Sequence, residues 1–379
     1  MKIYPFPEPG LKWLGLALIL IACSPDENLV SPEQNTGLKN TAVSIIGEQF
    51  YINGELTYKG RNWQGNKIEG LLFNSRMVQG IFDDLNPDTR NRFKYPDTNV
   101  WDAERNTNEF VAAMESWKSH GLLAFTLNLQ GGSPLGYGNE GWINSTFDNL
   151  GNLRPEYMAR LDRILKKADE LNMVVILGYF YFAQDQYLEN EQAVINALDN
   201  ITNWILDEGY QNIIVEINNE CNNAAYDHEI LKPQRIHELI ERVKNTLKDD
   251  SNRLLVSTSY GGGTLPLPNV VQSADFILLH GNGIANPARI TELVNETRNV
   301  NGYTPKPILY NEDDHYNFDA EENNFTSAIK AYSSWGYFDY RRDNEGFESG
   351  FQSVPVDWGI NSERKIEFFN KVKEVTGQQ

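Results

Sequence analysis

Two short stretches of the sequence place a glutamate where an apolar segment ends. The stretch "NIIVEINNECNN" (Asn212–Asn223) runs from β-branched residues into amides around Glu220, and "KPILYNEDDH" (Lys306–His315) reaches Glu312 in a similar way. A carboxylate beside a buried strand costs free energy unless it is solvated, hydrogen-bonded or used. A carboxyl group held in such a place can serve as a general acid, a general base or a nucleophile. The alternative for each residue is a glutamate at a solvated loop edge.

The two stretches belong to a long alternation of strand and helix patterns. The predicted strands are mostly continuous apolar runs, which are typical of parallel sheets covered by helices. Eight strands are predicted, at residues 76–82, 122–129, 173–180, 212–217, 253–260, 274–280, 306–311 and 333–338. Helices are predicted at residues 107–120, 192–207, 234–248, 288–297 and 325–332, with two more that begin at Pro155 and Ser362.

Eight strand–helix units in about 300 residues predict an α/β fold, a (β/α)8 TIM barrel. Asn53-Gly54, which lies between alternating apolar and polar residues, predicts a short N-terminal β-hairpin before the barrel. The alternative fold is an open doubly wound sheet, which usually carries a Gly-rich phosphate loop after its first strand. The segments "GIFDD" and "GYFYF" are not such loops, so the barrel is favoured.

Polar and aromatic residues stand at the predicted carboxyl ends of these strands, the end of a TIM barrel where active sites lie. They are Asp83, Asp84, Asn128, Gln130, Tyr179, Tyr181, Asn219, Glu220, Tyr260, His280, Asn311, Glu312, Asp313 and Trp335. Glu220 follows the fourth strand and Glu312 follows the seventh, at the spacing of three units of about 30 residues each. Because strands four and seven lie nearly across the barrel mouth, we expect the two glutamates to face each other over a substrate.

A barrel with "NNE" closing strand four and a glutamate in "ILYNEDD" closing strand seven resembles the clan A glycoside hydrolases. The resemblance covers residues 49–369 and implies a retaining, double-displacement glycosidase that cleaves a poly- or oligosaccharide without a cofactor or a metal. In that clan the first glutamate is the acid/base and the second is the nucleophile, which makes Glu220 the acid/base and Glu312 the nucleophile here. One departure is His280 at the end of strand six, where many members place a tyrosine or another residue near the nucleophile.

The resemblance and the strand ends together predict the substrate-binding residues. Asn219 is expected to bond the sugar 2-hydroxyl, and Trp335 matches a tryptophan that often stacks on sugar in the clan. Glu220 needs surroundings that raise its pKa, whereas His280, Tyr260 or Arg76 are expected to keep Glu312 ionised. The predicted substrate-binding set is Asn219, Asn128, Tyr179, Tyr181, Tyr260, His280, Trp335 and Arg76. Core packing for Trp335, a structural role for His280 and barrel-layer positions for Arg76 and the tyrosines remain alternatives.

Two other functions compete with the glycosidase. "NEDDH" (Asn311–His315) together with His280 contains metal-ligand types and would fit a metal-dependent hydrolase, but only two of the five histidines lie near strand ends. A non-catalytic surface lipoprotein that binds glycans would need an aromatic platform and would not need both glutamates. A thiol nucleophile at Cys221 is a further alternative, although no histidine lies near it in sequence and a small buried filler is favoured.

The charge balance restricts the partners. The 379 residues include 52 acidic and 33 basic residues, and the formal net charge is -19. Nucleic acid is therefore excluded as a partner, because phosphate binding needs a basic surface. A carbohydrate is the expected partner, and the oligomeric state is left open.

The N-terminus predicts export and lipid anchoring. An apolar run too short to span a bilayer ends in "LIAC" (Leu20–Cys23), which resembles the bacterial lipobox. The prediction is a signal peptide over residues 1–23 with lipidation of Cys23, a flexible tether over 24–45 and a (β/α)8 catalytic domain over 46–379. Ser24 after the cysteine resembles lipoproteins sent to an outer membrane, so we expect a bacterial cell-envelope protein, periplasmic or surface-exposed, that meets the membrane only through its anchor.

Overall fold

The computed structural model describes residues 39–248 and 252–378. The predicted signal peptide and lipidated Cys23 lie outside the described residues, as does most of the predicted tether. That tether was expected to reach residue 45, but an ordered strand begins at Val43, and the backbone N–H of Thr41 already donates to Asp169 at 2.8 Å. None of the helices in these two ranges is long and apolar enough to cross a bilayer.

In the part of the chain that the structure describes, five short strands precede the barrel. They are β1 (Val43–Ile46), β2 (Gln49–Ile52), β3 (Glu55–Leu56), β4 (Asn62–Trp63) and β5 (Asn66–Lys67). Strands β1, β2 and β3 pair antiparallel, and the β2–β3 turn is the predicted Asn53-Gly54 hairpin with Ile52 opposite Glu55. Both turn residues have positive φ, which is the backbone conformation that an Asn-Gly turn supplies. The buried ring of Phe50 on β2 joins the inner core of the barrel at its amino-terminal end.

Eight parallel strands and eight α-helices follow among the described residues up to 378, and they confirm the predicted (β/α)8 barrel. The strands are β6 (Asn74–Arg76), β7 (Ala124–Asn128), β8 (Val174–Phe180), β9 (Ile213–Asn218), β10 (Leu255–Ser257), β11 (Ile277–His280), β12 (Ile308–Glu312) and β13 (Gly336–Tyr337). The helices are α1 (Ala103–Ser119), α2 (Pro155–Glu170), α3 (Glu191–Glu208), α4 (Ile236–Asn245), α5 (Pro268–Ser273), α6 (Pro287–Arg298), α7 (Asn324–Lys330) and α8 (Glu363–Thr376). Helix α5 was not predicted from the sequence.

Hydrogen bonds close the barrel around its circumference. Six strands pair in the order β10, β9, β8, β7, β6 and β13, and β11 pairs with β12. Single parallel bridges, Leu309 to Ser334 and Asp313 to Tyr337, join β12 to β13. Between β10 and β11 the N–H of Asp275 donates to the carbonyl of Val256 at 3.0 Å.

The first barrel strand lies earlier in the chain than predicted. It ends at Arg76 instead of running over residues 76–82, because the chain turns at Gln79 and Gly80. The side chain of Thr107 donates to the carbonyl of Gly80 at 2.7 Å, so Thr107 holds this turn. Helix α1 begins at Ala103, before the predicted start at residue 107, and its cap is Asp102, which accepts from the N–H of Arg105. The shift makes Arg76 the last residue of its strand.

Alternation along the strands decides which side chains face the barrel interior. Ile176, Ile214, Leu278 and Leu309 belong to the inner core cluster. Since side chains alternate between the two faces of a strand, residues two and four positions further along point inward as well. Near the carboxyl ends these inward positions become polar, and they include Asn128, Glu216, His280 and Asn311, all of which are buried.

Candidate active site

Glu220 and Glu312 meet over His280 at the carboxyl-terminal mouth of the barrel. Nδ1 of His280 lies 3.1 Å from Oε1 of Glu220 and 3.6 Å from Oε2 of Glu312. One carboxyl oxygen of Glu220 lies within 4.8 Å of one carboxyl oxygen of Glu312. His280 is fully buried, the Glu312 side chain is 6% exposed and that of Glu220 is 19% exposed, so the pair opens to solvent on the Glu220 side.

Two further side chains hold Glu312. Nε of the fully buried Arg76 lies 3.0 Å from Oε2 of Glu312, and Nδ2 of Asn282 donates to Oε1 at 2.6 Å. Arg76 reaches this point because it ends β6 on an inward position, and only β13 separates β6 from β12 around the barrel. Asn282 was not predicted as a site residue, although it lies only two residues after His280 in "HGN". Its contact could be found only once the loop after β11 was placed beside Glu312.

Glu220 has an unusual backbone conformation that its neighbours stabilise. Its φ is +52°, a left-handed value that costs a residue with a Cβ roughly 1–2 kcal/mol. The N–H of Glu220 donates to the Ser259 hydroxyl at 2.9 Å, and the next N–H donates to the Ser259 carbonyl at 2.9 Å. The hydroxyl of Tyr226 donates to the Asn219 carbonyl at 2.6 Å. These contacts turn the chain sharply after β9 and fix the Glu220 side chain beside His280.

The two carboxylates favour the protonated form of His280. Burial by itself lowers the pKa of His280, but the carboxylates of Glu312 and Glu220 raise it above its ordinary value. Burial by itself raises the pKa of Glu220, yet the His280 hydrogen bond and the charges of His280 and Arg76 bring it below its ordinary value. The expectation of a raised pKa for Glu220 is thus wrong for the free protein, because the histidine donates to this carboxylate.

Glu312 has the opposite shift. Burial raises the pKa of Glu312 above its ordinary value, and the charge of Glu220 adds to this rise. The charges of Arg76 and His280 and the hydrogen bond from Asn282 offset only part of it. Arg76 and His280 therefore favour the ionised form of Glu312, as predicted, whereas Tyr260 does not take part.

Several buried polar atoms around this pair have no hydrogen-bond partner among the described residues. Both terminal nitrogens of Arg76 are among them, and so are both side-chain polar atoms of Asn128, Oδ1 of Asn219 and Nε2 of His280. Buried polar groups are normally satisfied by protein or by ordered solvent. Such a concentration at one end of the barrel is typical of a site that receives a polar ligand or water.

The predicted ligands Asn128, Asn219 and Tyr181 lie near this site. Asn128 is inward on β7 and so close to β8 that a Cβ at Gly178 would come within 2.3 Å of its Oδ1, which explains the glycine. The Tyr181 ring lies 6.0 Å from the Arg76 guanidinium, and its hydroxyl bonds Ser133 at 2.9 Å. Asn219 directly precedes Glu220.

Three other predicted ligands are placed elsewhere, and their assignment was wrong. Each lies one position from an inward residue and therefore points outward. The Tyr179 hydroxyl lies 3.4 Å from that of Thr202 on α3, and the Tyr260 hydroxyl accepts from the N–H of Leu267. Trp335 is fully buried, donates to Asp313 at 2.9 Å and packs against rings from α7 and α8, so it cannot stack on a sugar.

Two other acidic side chains, Asp185 after β8 and Asp313 after β12, hold loops in place. Asp185 accepts the N–H groups of Asp227 and His228 at 2.9 and 3.0 Å. Asp313 accepts from Asn324 and Trp335, each at 2.9 Å. These bonds hold loops and leave the two carboxylates no direct part at the Glu220–Glu312 pair.

Two groups in the described part of the chain combine the donor types of a metal site. One is Glu220, His280 and Glu312; the other is formed by the consecutive residues 313–315. In the first group the Arg76 guanidinium contacts Glu312, so a divalent cation would lie against a fixed positive charge. In the second group the aspartates already accept bonds from other side chains. Neither arrangement favours the metal-dependent hydrolase.

The fold is that of several solved glycoside hydrolases. An endo-1,4-beta-mannanase from Rhizomucor miehei matches with a TM-score of 0.54 at 11% identity, over 89% of this chain and all of that one. A glycoside hydrolase family 5 protein from Bacteroides vulgatus matches with a TM-score of 0.52 at 14% identity, over 84% of this chain and 70% of that one.

A GH5-4 broad specificity endoglucanase from Ruminococcus flavefaciens matches with a TM-score of 0.51 at 14% identity, over 80% of this chain and 96% of that one. At these identities the likeness establishes the (β/α)8 barrel fold and no activity. No protein family model matches the sequence, and no curated protein is similar to it in sequence.

Proposed function

We propose that the protein is a retaining glycoside hydrolase that cleaves glycosidic bonds in a poly- or oligosaccharide. The observation that carries this proposal is the approach of one oxygen of Glu220 to within 4.8 Å of one oxygen of Glu312 at the barrel mouth. Retaining enzymes hold their two carboxyl groups about 5–5.5 Å apart, whereas inverting enzymes leave room for a water between them. The similar fold of known glycosidases supports the proposal but does not carry it.

Glu312 is the proposed nucleophile. Its ionised carboxylate attacks the anomeric carbon, the bond to the leaving oxygen breaks, and a glycosyl-enzyme ester forms. Arg76 stays charged in its buried position, 3.0 Å from Oε2, and stabilises the carboxylate before the attack and after its release. Asn282 fixes the other oxygen at 2.6 Å, so the carboxylate cannot rotate freely.

Glu220 is the proposed acid/base, and His280 supplies its proton. The neighbouring carboxylates raise the pKa of His280, and its Nδ1, the proposed proton donor, lies 3.1 Å from Oε1 of Glu220. A bound sugar removes water from the exposed side of Glu220, and desolvation favours the neutral carboxyl, so the proton passes from Nδ1 to Oε1. Glu220 then protonates the leaving oxygen, and in the second step it removes a proton from the attacking water.

Asn219 and Asn128 are the proposed partners of the sugar hydroxyls. Their unpaired side-chain atoms are available for a polar ligand, and a bond from Asn219 to the 2-hydroxyl would strengthen in the transition state.

The proposed function is tested by hydrolysis and by its stereochemistry. We suggest β-1,4-mannan, cellulosic β-glucan and their oligosaccharides as first substrates, together with the Glu312→Gln protein as the inactive control. Wild-type protein should release reducing ends with retention of the anomeric configuration, as followed by proton NMR. Inversion would contradict the double-displacement mechanism, and hydrolysis that survives Glu312→Gln would contradict the assignment of the nucleophile. Glycan binding by a wild-type protein that hydrolyses none of these substrates would favour a glycan-binding role.

We also propose that the protein is exported and lipidated at Cys23, and that it is anchored to the outer membrane. The support is the lipobox "LIAC" and the Pro-, Ser- and Asn-rich segment that follows it. Stable anchoring needs more than one acyl chain, because a single chain gives only marginal binding. The Cys23→Ser protein should move from the membrane to the soluble fraction; unchanged fractionation would contradict lipidation.

A further inference from the structure

The loop after β7 extends across the barrel mouth to the nucleophile side. Its Tyr137 donates a hydrogen bond from its hydroxyl to Oδ2 of Asp314 at 2.6 Å. Asp314 lies two residues after Glu312, and its other oxygen accepts the N–H of Gly283 at 3.2 Å. Asp314 thus joins the loop after β7 to the loop after β11 directly beside the proposed nucleophile.

The Tyr137 ring is both fixed and exposed. It packs edge to face against Phe338 and Tyr340, with ring centroids 5.5 and 5.1 Å away, and these contacts set its orientation. Gly136 has a φ of +109°, and a Cβ there would come within 2.7 Å of the Tyr340 ring, so the glycine lets the loop approach this closely. Tyr137 nevertheless remains 54% exposed.

Exposed aromatic rings are scarce in this protein. Of the aromatic side chains in residues 39–248 and 252–378, only Tyr137 and Tyr187 are exposed, at 54% and 37%. Tyr137 borders a groove of about 560 Å³ that is also lined by Leu135, Trp142 and Arg92. Apolar rings mixed with polar side chains suit a sugar, which has both apolar C–H faces and hydroxyl edges.

The position of Tyr137 indicates which sugar it would meet. The acid/base protonates the leaving group, so the leaving sugar lies toward Glu220, on the side of β9. Tyr137 is fixed to Asp314, on the side of Glu312. A sugar over its ring would therefore belong to the part of the substrate that becomes attached to the nucleophile.

We propose that the Tyr137 ring binds a sugar unit on the non-reducing side of the scissile bond, one unit beyond the sugar that Glu312 attacks. This inference rests on the proposed function. The enzyme then prefers substrates that carry at least two sugar units on that side. The aromatic stacking that was expected of Trp335 is thereby supplied by a different element, the loop after β7.

The test compares substrates that differ by one sugar unit on the non-reducing side. 4-Nitrophenyl β-mannobioside is compared with the β-mannoside, and the β-cellobioside with the β-glucoside. Tyr137→Ala should lower kcat/KM for the disaccharide substrate about tenfold more than for the monosaccharide one, a factor that equals about 1.4 kcal/mol. Tyr137→Phe, which keeps the ring and loses the bond to Asp314, should restore the wild-type preference. Tyr187→Ala is the matched control for removal of an exposed ring.

A binding measurement separates this inference from the proposed function. Mannohexaose and cellohexaose are titrated calorimetrically into the Glu312→Gln protein with and without Tyr137→Ala, and about tenfold weaker binding is expected for the double variant. If Tyr137→Ala weakens binding but the wild type hydrolyses no substrate, only the proposed function is refuted. Unchanged affinity, equal losses on both substrate lengths, or binding of neither oligosaccharide by the Glu312→Gln protein would overturn the Tyr137 proposal.

Discussion

Glu220→Ala should separate the two chemical steps of the reaction. General acid–base assistance is worth about 10²–10⁴-fold, or about 2.7–5.4 kcal/mol at 1.36 kcal/mol per decade. We expect a loss of that size in kcat/KM for oligosaccharides, whose leaving oxygen needs a proton. A dinitrophenyl glycoside, whose leaving group departs unprotonated, should keep a nearly normal first step.

The geometry indicates that Glu312 stays ionised and correctly oriented in the Glu220→Ala protein. The charge of Glu220 raises the pKa of Glu312, so its removal lowers that pKa and keeps Glu312 ionised. Arg76 and Asn282 still hold both carboxylate oxygens, at 3.0 and 2.6 Å. The second step lacks its base, so the glycosyl-enzyme should accumulate until another nucleophile attacks it.

The assay follows the release of dinitrophenolate with and without azide. The wild-type Glu220 side chain is 19% exposed, so its removal opens a path from solvent by which azide can enter. Azide should restore turnover of Glu220→Ala and yield a glycosyl azide of retained configuration. Glu312→Ala should lose activity on every substrate, and Glu229→Ala, which removes a surface glutamate with a weak ion pair, should resemble the wild type. Equal losses for Glu220→Ala and Glu312→Ala on all substrates, without azide rescue, would refute the assignment.

Two further predictions concern protonation. The pKa of His280 is raised, so its charged form contributes stability that is fully present below about pH 6.5 and lost as pH rises through the folded-state pKa. If His280 gives its proton to Glu220, kcat/KM should fall as the pH rises through the folded-state pKa of His280. His280→Gln should abolish this fall in the pH profile of kcat/KM. An unchanged fall would contradict the proton transfer. Burial raises the pKa of Cys221 to about 12, so the thiol stays neutral and Cys221→Ser should keep most activity. Loss of activity by a Cys221→Ser protein with an unchanged circular dichroism spectrum and Tm would revive the thiol nucleophile.

The sequence determined the order of the elements and the position of the two glutamates. Continuous apolar strands and amphipathic helices are local patterns, and eight repeats of them leave few folds open. Because the strands are parallel, their carboxyl ends must meet at one mouth, so Glu220 and Glu312 could be assigned to the same site from their positions along the chain. The Asn53-Gly54 turn was equally local, and the structure has it as predicted.

Only the tertiary structure decided which residues face the barrel interior. A strand buried on both faces is apolar at every position, so its pattern does not distinguish inward from outward side chains. Tyr179, Tyr260 and Trp335 were therefore assigned to the site and lie on the outer face, while Arg76 became inward and terminal only because β6 ends at that residue. The pKa shifts of His280 and Glu220 and the hydrogen bond from Asn282 to Glu312 depend on loops and strands that are distant in sequence. The pKa of a carboxyl group is set by its burial and by the charges that folding brings near it. Burial raises the pKa of both glutamates, and the charges of His280 and Arg76 oppose that rise.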